Sequence, residues 1–243
     1  MTTNDAPTND APTNDPDRWQ YPALAKPESD GFYCYHIQRR ISAWFSVRLA
    51  GRMGANAATG LDLILGVAAA TLVLLDHWLW GVVMIQLFGI FSCVDGEIAR
   101  IQDRSSRIGD FLDTLTDRVV ELLLVGAIAF SLSDRVDSAS ALAAGFALLG
   151  GVFLLTTSSE KFRSAWQRGY PKRRLEKLFS LFCAGSDTRL LMLSIGLVVS
   201  DLTGDGSFLL WLLWALAAAA CVNFLVRIGL VYRHFRSGNP PES

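Results

Sequence analysis

The sequence predicts an all-α integral membrane protein: six transmembrane helices preceded by an interfacial amphipathic helix, with both termini cytoplasmic. Three observations carry this. The 243 residues are 51% hydrophobic with a mean hydropathy of +0.31, whereas soluble domains of this size are on balance hydrophilic. Six segments, 57–76, 78–98, 108–132, 138–158, 187–203 and 207–232, approach the ~20 apolar residues a helix needs to cross hydrocarbon. The basic residues fall on alternate connections between them.

Of 22 Lys and Arg residues, only Arg135 lies in the odd-numbered connections "DH", "SDRVDS" and "SDLTGDG". The stretch before the first span carries Arg39, Arg40, Arg48 and Arg52. The second connection carries Arg100, Arg104 and Arg107. The fourth, "KFRSAWQRGYPKRRLEK", carries seven basic residues, and Arg233 and Arg236 follow the last span. Cytoplasmic loops hold the excess of positive charge, so both ends of the chain are expected on that side. The bacterial inner membrane is the expected location. A net charge of −1 points to no nucleic-acid partner.

The elements follow in order. Residues 1–30 open on "TNDAPTNDAPTND", a repeat too polar to bury a core, and read as a disordered tail. No basic stretch leads into an apolar one there, so no cleaved signal peptide is expected. Residues 31–53, "GFYCYHIQRRISAWFSVRLAGRM", mix aromatics with arginines and read as a helix lying along the interface. Residues 54–236 hold the six-helix membrane domain, and 237–243 form a C-terminal tail. The fifth segment is short and opens on Arg189. Arg189 and Arg227 each sit in or beside an apolar span, so each needs a partner. The small residues of "AAGFALLGG" on the fourth span permit close helix packing. Cys34, Cys93, Cys183 and Cys221 are scattered without zinc or redox spacing, and are expected as small buried hydrophobes without disulfides.

The chemistry concentrates in "SCVDGEIARIQDRSSRIGDFLDTLTDR", residues 92–118. On the second span, residues 92, 95, 96 and 99 share one helical face. On the third, Gly109, Asp113, Asp117 and Glu121 form an i, i+4 stripe, with successive members ~6 Å apart. The short connection makes the two helices antiparallel, so Asp95, Asp113 and Asp117 are expected to converge near the membrane boundary. Clustered carboxylates at that depth repel one another unless a cation joins them or arginines pair with them. Oxygen-only donors suit Mg²⁺ or Mn²⁺. Two such ions ~4 Å apart suit phosphoryl displacement. Gly96, Ala99 and Gly109 leave a trough for a phosphorylated ligand.

This spacing resembles the signature of the CDP-alcohol phosphatidyltransferase family, D-x2-D-G-x2-A-R-x8-G-x3-D-x3-D. Asp95-Gly96, Ala99-Arg100, Gly109, Asp113 and Asp117 all fall in register. "GANAATGL" at 54–61 is similar to the family's Pro-Asn-x-x-Thr opening of the first span, with Asn56 and Thr59 in place and Ala55 where Pro is usual. The resemblance covers roughly residues 31–235 and is sharp only over 92–118. It implies a metal-dependent transferase of phospholipid synthesis, displacing CMP from a CDP-linked lipid with a small alcohol. It implies Asp95, Asp113 and Asp117 as ligands of two Mg²⁺ or Mn²⁺ ions, and Asp117 also as general base. Asn56, Thr59, Gly96, Ala99, Arg100 and Gly109 would seat the CDP group. It also implies a homodimer.

Ser92 is the departure, because the family has its first aspartate there. Three readings stay open. In one, Ser92 is a weak ligand through its hydroxyl, its carbonyl or a water. In another, a different carboxylate, Asp62 or Glu121, compensates. In the third, the chain is an impaired paralogue that binds CDP-lipid or partners an active transferase. A phosphorylated acceptor would be met by Arg163 and Arg189. An ion carrier using the same carboxylates is the remaining class, and the motif glycines argue against it.

Overall fold

The computed structural model describes residues 21, 24, 30–167, 169–171, 175–176 and 185–235, the side chains of 234 and 235 excepted. Among these it is helical throughout. A π-helical turn, Cys34–Gln38, leads into α1 (Arg39–Leu49). Six long helices follow: α2 (Ala55–Leu74), α3 (Trp78–Ile101), α4 (Arg107–Leu132), α5 (Ser138–Trp166), α6 (Ser186–Thr203) and α7 (Ser207–Phe235). They coincide with the six segments read from the sequence. Four of them, α2, α3, α5 and α7, are long and apolar enough to cross a membrane by themselves. The other two carry charges within their length: Asp117, Arg118 and Glu121 on α4, and Asp187, Arg189 and Asp201 on α6.

A core of Val73, Ile85, Leu124, Ile128, Leu148, Leu193 and Leu213 joins the six long helices. Outward-facing residues are large and apolar, among them Phe146, Trp211, Leu202, Leu225 and Ile64. That pattern suits a lipid surround. Helix α2 closes on α4 through Gly66, where an added Cβ would collide with Val120. The "AAGFALLGG" stripe packs within the protomer: Gly145 faces Ala129 of α4 and Gly151 faces Ala220 of α7.

Helix α1 is amphipathic in a reversed sense. Its buried face is polar (Arg39, Ser42, Ser46), and Ile41, Trp44 and Val47 are exposed. The polar face meets Glu97 of α3, which is fully buried. Glu97 accepts from Arg39 Nη1 at 2.9 Å, from Ser42 Oγ at 2.8 Å and from Ser46 Oγ. An apolar outer face over a polar inner one fits a helix lying on a membrane surface. Beside it, Asp187 of α6 accepts from Cys34 N at 2.8 Å. It lies so close to Gly31 that no side chain would fit there.

Of residues 1–30, the three described ones make contacts. Tyr21 packs on Tyr35, the Leu24 carbonyl accepts from Arg100 Nη2 at 2.9 Å, and Asp30 pairs with Arg39 Nε at 2.9 Å. The buried guanidinium of Arg39 is what holds Asp30, an attraction that tail composition does not reveal. Of the cysteines, Cys34 and Cys93 are buried as expected and approach to 3.5 Å between sulfurs because α1 packs along α3, whereas Cys221, also expected to be buried, is exposed on α7. Residues 1–20 and 237–243, with Arg168, Lys172, Arg173, Arg174, Lys177, Cys183 and Arg236, lie outside the described residues.

Arg39 bridges two buried carboxylates. Arg39→Ala strands both, which costs about 3–5 kcal/mol for a buried pair broken on one side. Thermal unfolding of the detergent-solubilised protein should show a large drop in midpoint, and an unchanged midpoint would contradict the bridge.

Candidate active site

The facing stripes form as their spacing requires. Asp103 takes a left-handed conformation (φ 50°) where the chain turns after α3. Ser106 then caps α4, its Oγ accepting from Gly109 N at 3.0 Å. This sets α4 antiparallel to α3 and brings Asp95 and Asp113 to a common cleft of about 320 Å³.

The cleft collects residues from two distant stretches. From the start of α2 come Ala55, Asn56 and Thr59, and from α3 come Asp95, Gly96, Ala99 and Arg100. The turn and α4 add Arg104, Ser105, Ser106, Gly109, Asp110 and Asp113. All six residues expected to seat a CDP group are therefore together. Thr59 Oγ1 donates to Asp95 Oδ2 at 2.7 Å, tying the two stretches. A Cβ on Gly96 would meet only the far end of Arg100, at 3.6 Å. The protein's own packing thus leaves room there. Sequence reasoning missed Arg104, Ser105, Ser106 and Asp110, which fall in or just beyond the eight-residue gap that the signature leaves unspecified. The Ser106 cap was the available signal.

Ser92 and Asp117 lie one helical turn beyond Asp95 and Asp113, outside the cleft lining. Ser92 Oγ donates to Asp117 Oδ1 at 3.3 Å, and Arg118 Nη2 stands 4.0 Å from Asp117 Oδ2. Asp62 of α2 is 1% exposed. It lies within electrostatic reach of Asp95, Asp113 and Asp117, and its Oδ1 has no hydrogen-bond partner.

The expected convergence is therefore partial. Among the described residues, no three Asp, Glu, His or Cys side chains stand close enough to enclose an ion. Like charges keep apart, and local donors hold two of them: Thr59 and the Gly96 amide hold Asp95, and Ser92 holds Asp117.

The remaining candidates are in ion pairs. Glu121 continues the stripe but is bound by Arg118 and by Arg189, whose Nη2 is 2.6 Å from Glu121 Oε1. That pairing gives Arg189 the partner it needed and leaves it 5% exposed. Arg163 is about half exposed and pairs with Asp110 at the cleft rim, at 2.7 Å. Arg227 is held by Glu176 at 2.7 Å, by Ser158, Ser159 and the Leu155 carbonyl, and by the face of Tyr170. Burial beside Glu176 raises the Tyr170 hydroxyl above its ordinary pKa.

A family model described as CDP-alcohol phosphatidyltransferase matches residues 52–224. The bifunctional IPC transferase and DIPP synthase of Thermococcus kodakarensis is 34% identical over 144 residues, covering 59% of this chain and 32% of that protein. The match thus spans about a third of the curated relative's length. Two crystal structures of phosphatidylinositol phosphate synthase from Mycobacterium tuberculosis share the fold. The one with CDP-DAG bound has a TM-score of 0.65 at 21% identity, covering 79% of this chain and 94% of that one. The one in complex with manganese and citrate has a TM-score of 0.62 at 20% identity, covering 81% and 89%.

Gly96→Ala should separate stability from ligand binding. Removing a glycine from a helix interior stabilises by roughly 0.5–1 kcal/mol, and the new methyl meets no backbone. The same methyl intrudes on the cleft, so CDP binding, read by calorimetry, should weaken. Equal or tighter CDP binding would show that the cleft is not the nucleotide site.

Proposed function

Because this chain belongs to the CDP-alcohol phosphatidyltransferase family, we propose that it transfers a phosphatidyl group from a lipid of the CDP-diacylglycerol type to a small alcohol or alcohol phosphate, releasing CMP, as a step of phospholipid synthesis. The observation that carries this reading is the cleft. Asn56 and Thr59 come from one helix and Asp95, Gly96, Ala99, Arg100 and Gly109 from a stretch more than thirty residues later, yet they line one space.

The donor chemistry fits a divalent cation, Mg²⁺ or Mn²⁺. The donor set is all carboxylate and hydroxyl oxygen, and a buried carboxylate oxygen, Asp62 Oδ1, stands without a partner. When bound, two such ions would neutralise the diphosphate and stabilise charge on departing CMP. Asp95, Asp113 and Asp117 are the proposed ligands, with Ser92 as a weak further donor.

The proposed chemistry is a single displacement. The acceptor oxygen bonds to the lipid-side phosphorus, and the bond from that phosphorus to the bridging oxygen breaks. CMP leaves with the electron pair. Asp117 takes the acceptor's proton, and Ser92 orients Asp117 by donating to Oδ1. Gly96 and Gly109 let the diphosphate approach the backbone. Arg163 at the rim would receive a phosphate on the acceptor, and the buried Arg189 would hold Glu121 behind it. The phosphatidylinositol phosphate synthases among the relatives favour an inositol phosphate acceptor.

In this reading all six long helices span the membrane, α1 lies on its surface, both termini are cytoplasmic, and the protein is a homodimer in a bacterial inner membrane. Ser92 favours a second reading, a catalytically impaired paralogue that binds CDP-lipid or partners an active transferase.

The test is CMP release in proteoliposomes containing CDP-diacylglycerol, Mg²⁺ or Mn²⁺, and a panel of polyols and polyol phosphates. Asp117→Asn should lower kcat about 10²–10⁴-fold, the usual contribution of a positioned base. Equal turnover by Asp117→Asn would remove Asp117 from the chemistry. Folded protein that binds CDP yet releases no CMP would establish the second reading instead.

A further inference from the structure

Two side chains from different helices, Ser92 and Asp62, lie in the neighbourhood of Asp117. Ser92 reaches Asp117 from α3. On α2, Asp62 lies one turn from Thr59, which is bonded to Asp95. In the other direction it lies one turn from Gly66, which abuts Val120, one turn beyond Asp117 on α4. Asp62 is therefore bracketed between a contact to Asp95 and a contact near Asp117, and all three motif aspartates act on it electrostatically.

Its burial demands an explanation. Asp62 is 1% exposed, and a buried carboxylate without compensation costs several kcal/mol. Its Oδ1 has no hydrogen-bond partner. Arg118, the guanidinium beside Asp117, is drawn instead to Glu121 and Thr156. Glu121 is the other carboxylate near enough to replace a missing aspartate, but two guanidiniums already hold it. Of the two, it is Asp62 that has a buried oxygen without a hydrogen-bond partner.

We infer that Asp62 supplies the carboxylate that position 92 lacks, so that the divalent-cation site is bounded by Asp62 of α2, Asp95 of α3, and Asp113 and Asp117 of α4. This rests on the metal-dependent reading above. Four carboxylates then bound the site, one of them moved from α3 to α2. Ser92 serves as a neutral donor that positions Asp117.

The test uses the full chain, purified in detergent and stripped with EDTA, with Mn²⁺ alone as the probe and free Mn²⁺ read by electron paramagnetic resonance. Loss of a metal-orienting partner costs roughly 10–100-fold in affinity, so loss of a ligand in Asp62→Asn should cost at least that. Asp62→Asn combined with Ser92→Asp should recover binding to within a few-fold of the starting protein. Without metal, Asp62→Asn should melt higher than the starting protein, because a like charge has gone. Added Mn²⁺ should raise the melting temperature of the starting protein much more than that of the variant. Asp62→Ser gives the same comparison if the Asn variant does not fold. Starting-protein affinity in Asp62→Asn, or no recovery in the double variant, would overturn the inference while leaving the transferase reading intact. A starting protein that takes up no Mn²⁺ at millimolar concentration would overturn both.

Discussion

The constraint on which the rest of this structure depends is negative charge held inside a helical bundle. Asp62 of α2 lies within electrostatic reach of Asp95 of α3 and of Asp113 and Asp117 of α4. A carboxylate in such a place stays ionised only beside a cation or several donors. The buried glutamates show how the same chain solves that problem with its own residues. Glu97 has Arg39, Glu121 has Arg118 and Arg189, and Glu176 has Arg227. Around the aspartates neutral donors also take part: Thr59 and the Gly96 amide donate to Asp95, Ser92 donates to Asp117 with Arg118 4.0 Å away, and Asp62 Oδ1 has no hydrogen-bond partner.

The surrounding architecture serves these aspartates. Asn56 and Thr59 reach the cleft because α2 begins there, and the glycine contact at Gly66 lets α2 lie close to α4. Helix α1 turns its polar face inward onto Glu97, one turn from Cys93 on the flank of α3 that carries neither Ser92 nor Asp95. The ion pairs thus fix α3 from behind while its other side stays open to a ligand. The cleft and the Ser92–Asp117 pair lie on successive turns of the same facing stripes.

Much of this was legible in the sequence, because helical periodicity encodes which residues share a face. The Gly109, Asp113, Asp117, Glu121 stripe and the Ser92, Asp95, Gly96, Ala99 face follow from spacing alone. So do the six apolar segments. Periodicity does not say what stands opposite a face, and the misses are of that kind. Glu121 belongs to the stripe, yet it faces Arg189 of α6 rather than the aspartates. Arg189 made the fifth segment look weak, although it is buried because Glu121 meets it. Cys34 and Cys93, 59 residues apart, meet only because α1 lies along α3. Asp30 looked like part of a polar tail until Arg39 gave it a partner. Asp62 was visible as one charge on an apolar helix, but its direction required the contacts on either side of it.

The most direct measurement is an anomalous-difference map from crystals grown with Mn²⁺ and a CDP-lipid. Peaks are expected between α2, α3 and α4, within coordination distance of Asp62, Asp95, Asp113 and Asp117, with the diphosphate seated over Gly96. Peaks bounded by other residues, or a CDP group bound elsewhere with no metal between these helices, would contradict the proposal that these aspartates form the catalytic centre.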